Sequence, residues 1–104
     1  MNSKVLTLLG FASKAGKLSY GMNATVFSVK QKKAKAVIVA SDISDKSKKE
    51  VKFYCEKFGV NYIAFDNYNL ESISRAIGKK CGIASINDDS FKESISTAIR
   101  EEIR

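Results

Sequence analysis

The 104-residue sequence contains no His, no Pro and no Trp, and only two Cys. Without His, neither a Ser–His nor a Cys–His nucleophilic pair can be built, and imidazole metal sites are excluded. Cys55 and Cys81 stand 26 residues apart without Cys or His companions, so no zinc framework can be written. Both are expected to pack as small apolar side chains in a reducing compartment. Apolar runs such as Val37-Ile38-Val39-Ala40 fall far short of the roughly 20 residues that span a bilayer. Lys4 precedes Val5-Leu6-Thr7-Leu8-Leu9, but no small-residue cleavage site follows, so no signal peptide is expected. With no Pro, no low-complexity linker and no internal repeat, residues 1–104 are expected to form one domain. The expectation is a soluble cytoplasmic domain without metal or cofactor, and nothing requires more than a monomer.

Acidic side chains are missing from one region entirely. Residues 1–40 carry seven Lys and no acid, and the first carboxylate is Asp42. Residues 41–104 carry eleven basic and eleven acidic side chains, so the formal net charge of +7 arises wholly before Asp42. Each Lys that meets a phosphate releases condensed counterions, so such a region suits a polyanionic partner. A solvated Lys-rich surface that aids solubility fits the same numbers, and charge alone does not choose between them.

What is present is a regular alternation of hydrophobic periods. Residues 3–14 place Val5, Leu8, Leu9 and Ala12 on one helical face, with Ser3 to cap it and Gly16 to end it. Lys17-Leu18-Ser19-Tyr20 is a short extended piece leading to Gly21. Met22, Val26 and Val29 predict a second helix over about 22–31, with Lys30, Lys32 and Lys33 at its C-terminal end, where cations suit the helix dipole. Ala36-Val37-Ile38-Val39-Ala40 reads as a strand buried on both faces. Asp45 or Ser44 caps a third helix with Val51, Tyr54, Cys55 and Phe58 inward, closed by Gly59. Asn61–Ala64 is a strand. Asn69 caps a fourth helix carrying Leu70, Ile73 and Ile77, stopped by Gly78. Gly82–Ile86 is the last strand, and Asp88 or Asp89 caps a fifth helix with Phe91, Ile95, Ala98 and Ile99. Helices alternating with strands predict a three-layer α/β/α sandwich around a central mixed sheet of about four strands.

Catalysis finds little support. Asp42 and Asp45 lie near the end of the central strand, a common place for α/β active sites. Asp45 is a cap candidate, however, and no nucleophile motif or phosphate-cradling Gly-rich loop accompanies the pair. Asp88 and Asp89 also read as caps, so no catalytic residue is assigned. The stretch Ala15–Ala24 offers more. A helix that starts at Gly21 exposes unsatisfied N–H groups and the positive end of its dipole. Gly21 lets a nucleic-acid backbone approach closely, and Asn23 can both donate and accept. Lys14 and Lys17 precede this tip; Lys30, Lys32, Lys33 and Lys35 follow it. A plain turn and cap is the alternative reading of Gly21-Met22-Asn23. Tyr20 is expected to pack structurally, and Lys46, Lys48, Lys49 and Lys52 read as a solvated helix face.

The order Ala15-Gly16-Lys17-Leu18, Gly21-Met22-Asn23 and Ala34-Lys35-Ala36-Val37-Ile38-Val39-Ala40-Ser41-Asp42 resembles the ribosomal protein L7Ae/L30e superfamily, and within it the small bacterial YlxQ-like branch. The likeness runs on through Tyr54–Tyr62 and Ala76-Ile77-Gly78-Lys79, covering nearly the whole chain. It implies an α/β/α sandwich that binds RNA without catalysis. Members typically recognise kink-turns, bent internal loops with tandem sheared G·A pairs. The family motif Gly-x-Asn-Glu-x-x-Lys sets a helix tip into the widened groove at those pairs, and a loop before the last strand meets the flipped-out nucleotide region. Carried over by position, Gly21 and Asn23 match the motif, with Met22 between them. The loop corresponds to about Gly78–Gly82, with Lys79 and Lys80 able to reach phosphates.

Two positions depart from that pattern. The family Glu falls on Ala24, which cannot accept from a guanine edge, and the family Lys falls on Phe27, which can only stack or pack. A bidentate base contact is worth roughly 1–3 kcal/mol of discrimination, so their loss removes much of the selectivity while leaving the electrostatic term. Lys30, one turn further along, is the candidate replacement charge. Ser74 stands where the family often has Gly. The resemblance implies structured, kink-turn-like RNA as partner, alone or with ribosome or ribonucleoprotein components, and no membrane. Ala24 and Phe27 also motivate a second reading, a protein–protein adaptor on a ribosomal or transcription–translation assembly with RNA readout reduced.

Overall fold

The computed structural model describes residues 3–102. The Ser3 hydroxyl accepts from the Leu6 N–H at 3.3 Å and opens α1 (Lys4–Lys14), whose Val5, Leu9 and Ala12 are buried. Gly16, at φ 73°, then turns the chain into β1 (Leu18–Tyr20). There follow α2 (Met22–Lys30), β2 (Ala36–Val39), α3 (Asp45–Phe58), β3 (Asn61–Ala64), α4 (Leu70–Ile77), β4 (Ile83–Ile86) and α5 (Asp89–Glu102). These are the expected elements in the expected order.

Caps explain the boundaries. Of the two candidates for α3, Ser44 is the cap, accepting from the Ser47 N–H at 3.2 Å, and Asp45 is the exposed first helical residue. A serine hydroxyl reaches that N–H from an extended residue, so the capping role expected of Asp45 passes to its neighbour. Asn69 accepts from the Ser72 N–H at 2.8 Å, and the Asp88 carboxylate from the Phe91 N–H at 2.9 Å. At the other ends of α3 and α4, Gly59 and Gly78 adopt left-handed φ values of 69° and 78°, which L side chains rarely tolerate.

The sheet order is β1-β4-β2-β3, with β4 antiparallel to both neighbours and β2 parallel to β3. The sheet is therefore mixed. The interior strands β2 and β4 are buried along their whole length, whereas β3 lies at an edge and is half-buried or exposed. Successive side chains of β2 point to opposite faces. Ile38 packs with Val5, Leu9, Ile73 and Ile95 beneath α1, α4 and α5. Val37 and Val39 pack with Val29, Val51 and Cys55 beneath α2 and α3. The result is the three-layer α/β/α sandwich. Burial, helped by the Glu56 carboxylate, pushes the Cys55 thiol up to about 11, which keeps it a neutral core filler at neutral pH. Gly10, inside α1, has a purpose the sequence pattern does not reveal. A Cβ there would stand 2.9 Å from the Ala76 carbonyl oxygen of α4, so its absence permits the close helix crossing.

Candidate nucleic-acid interface

One end of the sheet gathers the segments that matter. The register pairs Tyr20 with Ala84, Val39 with Ile83 and Val39 with Ala64. The C-terminal ends of β1, β2 and β3 thus meet the N-terminal end of β4. Two backbone hydrogen bonds tie the connections together: Gly21 N–H donates to Ile83 O, and Ala40 N–H to Gly82 O, each at 2.8 Å. Antiparallel pairing of β1 with β4 therefore brings the start of α2 beside the 78–82 loop, although about 60 residues separate them.

Gly21 passes the chain from strand to helix in one residue, at φ 87° and ψ 169°. A Cβ on it would touch nothing within 4 Å, so the need for glycine is conformational and the space outside is open. No side chain caps α2, and no acid stands in its first turn. Unlike the side-chain-capped N-termini of α1, α3, α4 and α5, this one leaves the N–H groups of Met22, Asn23 and Ala24 without an acceptor among the described residues. Asn23 and Ala24 are exposed, and Met22 is half-buried.

A polar hub holds α2 in place. The Asn87 side-chain oxygen accepts from Ser28 at 2.8 Å and from Ser85 at 2.9 Å, while its amide nitrogen donates to Ser19 at 2.9 Å. One side chain so links α2 to β1 and β4 and satisfies the buried hydroxyls of Ser28 and Ser85. Buried polar groups are costly unless paired, and the pairing specifies how the helix sits.

The 78–82 loop is fixed as tightly. The Ser74 hydroxyl accepts from the Cys81 N–H at 3.0 Å and donates to the Cys81 carbonyl at 3.2 Å, so this side chain clamps the loop to α4. Gly82 packs under Ile43, whose side chain a Cβ would strike. Burial pushes the Cys81 thiol up, against the opposing pull of the Gly21 and Ile83 backbone and Lys79. Ser13 donates to Ile77 O at 2.7 Å and lies 2.7 Å from the Tyr20 hydroxyl, which packs structurally as expected. The Lys79 ammonium sits 4.8 Å from the centre of the Tyr20 ring, an attraction that places this cation at the tip.

The structure thus brings Gly21, Met22, Asn23 and Ala24 together with Lys79 and Lys80. Lys14 is exposed in the last turn of α1, next to Ser13. The other predicted lysines are not at this point. Lys17 precedes β1 at that strand's far end, where its carbonyl accepts from Asn87 N–H at 2.8 Å. Lys30, Lys32 and Lys33 lie at the C-terminal end of α2, about 13 Å from the tip at 1.5 Å per residue. Lys30 stands over the Tyr54 ring of α3, 4.9 Å from its centre. Of the N-terminal lysines, Lys4 pairs with Glu101 at 3.5 Å; the rest have no carboxylate partner among the described residues. Phe27 is 60% exposed.

The carboxylate that follows β2 has a structural task. Asp42 accepts from the Leu70 N–H at 2.8 Å, tying the loop after β2 to α4, and Lys48 donates to the Ser41 carbonyl at 2.8 Å. Among the described residues, no group of His, Cys, Asp or Glu is arranged to hold a metal, and no helix is long and apolar enough to cross a membrane. The sequence pattern did not mark Asn87 or Tyr54 as parts of the site. An Asn directly after a strand containing a buried Ser was the available sign for the first.

Residues 3–95 match the Ribosomal protein L7Ae/L30e/S12e/Gadd45 family. The chain is 35% identical over 88 residues to the RNA-binding protein YlxQ of Enterococcus faecium, spanning 85% of this chain and 84% of that protein. A solved structure of a protein with unknown function from Bacillus halodurans C superposes with a TM-score of 0.89 at 27% identity, covering 95% of this chain and 99% of that one. The Giardia lamblia 15.5kD RNA binding protein superposes with a TM-score of 0.75 at 22% identity, over 94% and 83% of the two chains, a likeness of fold alone.

Proposed function

This chain belongs to the ribosomal protein L7Ae/L30e/S12e/Gadd45 family, and we propose that it is a non-catalytic RNA-binding protein that docks the α2 tip and the 78–82 loop onto structured, kink-turn-like RNA. Residues 1–104 act as one RNA-binding unit, in a cytoplasmic, ribosome- or translation-associated setting. The observation that carries this reading is the contact between Gly21 and Ile83, which sets an uncapped helix N-terminus beside a loop bearing Lys79 and Lys80. Unpaired N–H groups and a positive dipole end suit a phosphate. Lys14, Lys79 and Lys80 supply cations around it, and Asn23 supplies a base-edge contact. Phosphate contacts position a protein and base contacts specify the sequence.

Titration of a kink-turn RNA against a straight duplex of the same composition tests the proposal. The expected outcome is binding to both, with the kink-turn preferred by a margin smaller than the full family motif provides. Absence of binding to either RNA contradicts it.

A further inference from the structure

α2 distributes its side chains unusually for a helix packed on a sheet. Thr25 and Ser28 are buried together with Val29, while Phe27 is 60% exposed. Phe27 borders a groove of about 350 Å³ between α2 and α3, lined also by Met22, Asn23, Lys30, Glu50 and Tyr54. Asn23, Phe27 and Lys30 occur at i, i+4 and i+7, so they form one stripe along the helix, with neighbours about 5–6 Å apart. Lys30 is held in this groove by the Tyr54 ring, 4.9 Å away, and Phe53 packs edge-on against that ring at 5.3 Å.

We infer that this groove is a subsite for an unpaired nucleotide of the bound RNA, whose base stacks on Phe27 while its phosphate meets Lys30. The inference rests on the proposed RNA-binding function and extends it to a second region of the surface. Single-stranded bases expose both faces and stack on aromatic side chains, whereas bases within a duplex are already stacked. The groove supplies an open aromatic face, a fixed cation one turn away and the Asn23 amide for a base edge. Asn23 also belongs to the α2 tip, so the groove continues the surface proposed to meet RNA. Charge favours this occupant over an apolar protein segment: the chain carries a net charge of +7 with no carboxylate before Asp42, and Lys30 stands in the groove opposite the aromatic Tyr54 with Glu50 as the single acid of the lining. An apolar peptide laid there would cover Lys30 without offering it a partner, at a desolvation cost.

The test compares a blunt kink-turn RNA with the same RNA carrying a short single-stranded uridine extension at its 5′ or its 3′ end. Wild type, Phe27→Ala, Phe27→Leu and Phe27→Tyr are titrated against each, with circular dichroism melting as the folding control. The extension is expected to strengthen wild-type binding about tenfold, the scale of one base–aromatic stack. Phe27→Tyr keeps that gain; Phe27→Ala and Phe27→Leu lose it, because leucine retains bulk but has no π-face. No gain from either extension, or a gain that survives in Phe27→Ala or Phe27→Leu, overturns the subsite and leaves the proposed function standing. A gain from the extension, with a straight duplex bound as well as the kink-turn in the titration described above, keeps the subsite and overturns the kink-turn preference in the proposed function. Failure of wild type to bind any of these RNAs removes both. A dimer seen by sedimentation without RNA, and abolished by Phe27→Ala, gives the groove to a second copy of the chain and likewise overturns the inference.

Discussion

Raising the salt concentration from 50 to 200 mM is expected to weaken RNA binding on the order of 10²-fold, with a log–log slope near −4 if about five lysines meet phosphates. The expectation follows from where positive charge is left uncompensated. Lys4 is the one N-terminal lysine paired with a carboxylate among the described residues, and exposed pairs of that kind contribute little. Lys79 and Lys80 belong to the loop beside the α2 tip, and Lys14 follows Ser13, whose hydroxyl meets Tyr20. Lys17 and Lys30 are displaced from it and contribute only if the RNA reaches along β1 or α2. The slope therefore reports the footprint: about −4 for all five, and nearer −2 to −3 for the three at the tip alone. Replacing Lys79→Gln together with Lys80→Gln is expected to flatten the slope by about two, since each phosphate contact counts about one. Binding measured by fluorescence anisotropy across this salt range decides the matter. A flat dependence contradicts a phosphate-driven interface.

The second large effect concerns selectivity. Replacing Ala24→Glu and Phe27→Lys together is expected to raise the preference for a kink-turn over a straight duplex at least tenfold, because each restored base contact is worth about 1–3 kcal/mol. Both positions are exposed, so neither change disturbs the core. A carboxylate in the first turn of α2 also suits its uncapped positive end, so thermal stability is expected to hold or rise slightly. Titration of wild type and the double variant against the two RNAs gives the ratio directly. An unchanged ratio means that the start of α2 does not face the base pairs, which contradicts the proposed docking. If wild type binds neither RNA and only the variant gains binding, the natural surface serves another partner. The adaptor reading is then favoured, and a pull-down that survives nuclease treatment supports it.

The elements of this fold were legible because each rests on local chemistry. Periodic apolar positions marked the helices, Ser3 and Asn69 capped two of them, and Gly59 and Gly78 ended two others in a conformation few residues accept. The choice of Ser44 over Asp45 was not legible, since both carry an oxygen that can cap. Strand order was also beyond local reading. The insertion of β4 between β1 and β2 is a pairing across more than 40 residues, decided by packing on both faces of the sheet. Half of the candidate site shares that difficulty. Gly21 and Asn23 are recognisable in the chain, but their proximity to Lys79 depends on the β1–β4 register. The lysines after Gly21 look clustered in sequence because α2 is only nine residues long. In space that helix carries Lys30, Lys32 and Lys33 away from the tip. Asn87 reads as an ordinary loop residue until the buried hydroxyls of Ser28 and Ser85 are seen to need it.

On the proposed function, the α2 tip and the 78–82 loop together form the RNA-binding surface. Amide chemical shifts recorded during titration with kink-turn RNA test it most directly. The predicted result is that the largest changes fall on Gly21–Thr25 and Gly78–Ile83, with little change along α5 or at the exposed β3 edge. Changes centred on α5 or β3, with the tip and loop unmoved, would contradict it.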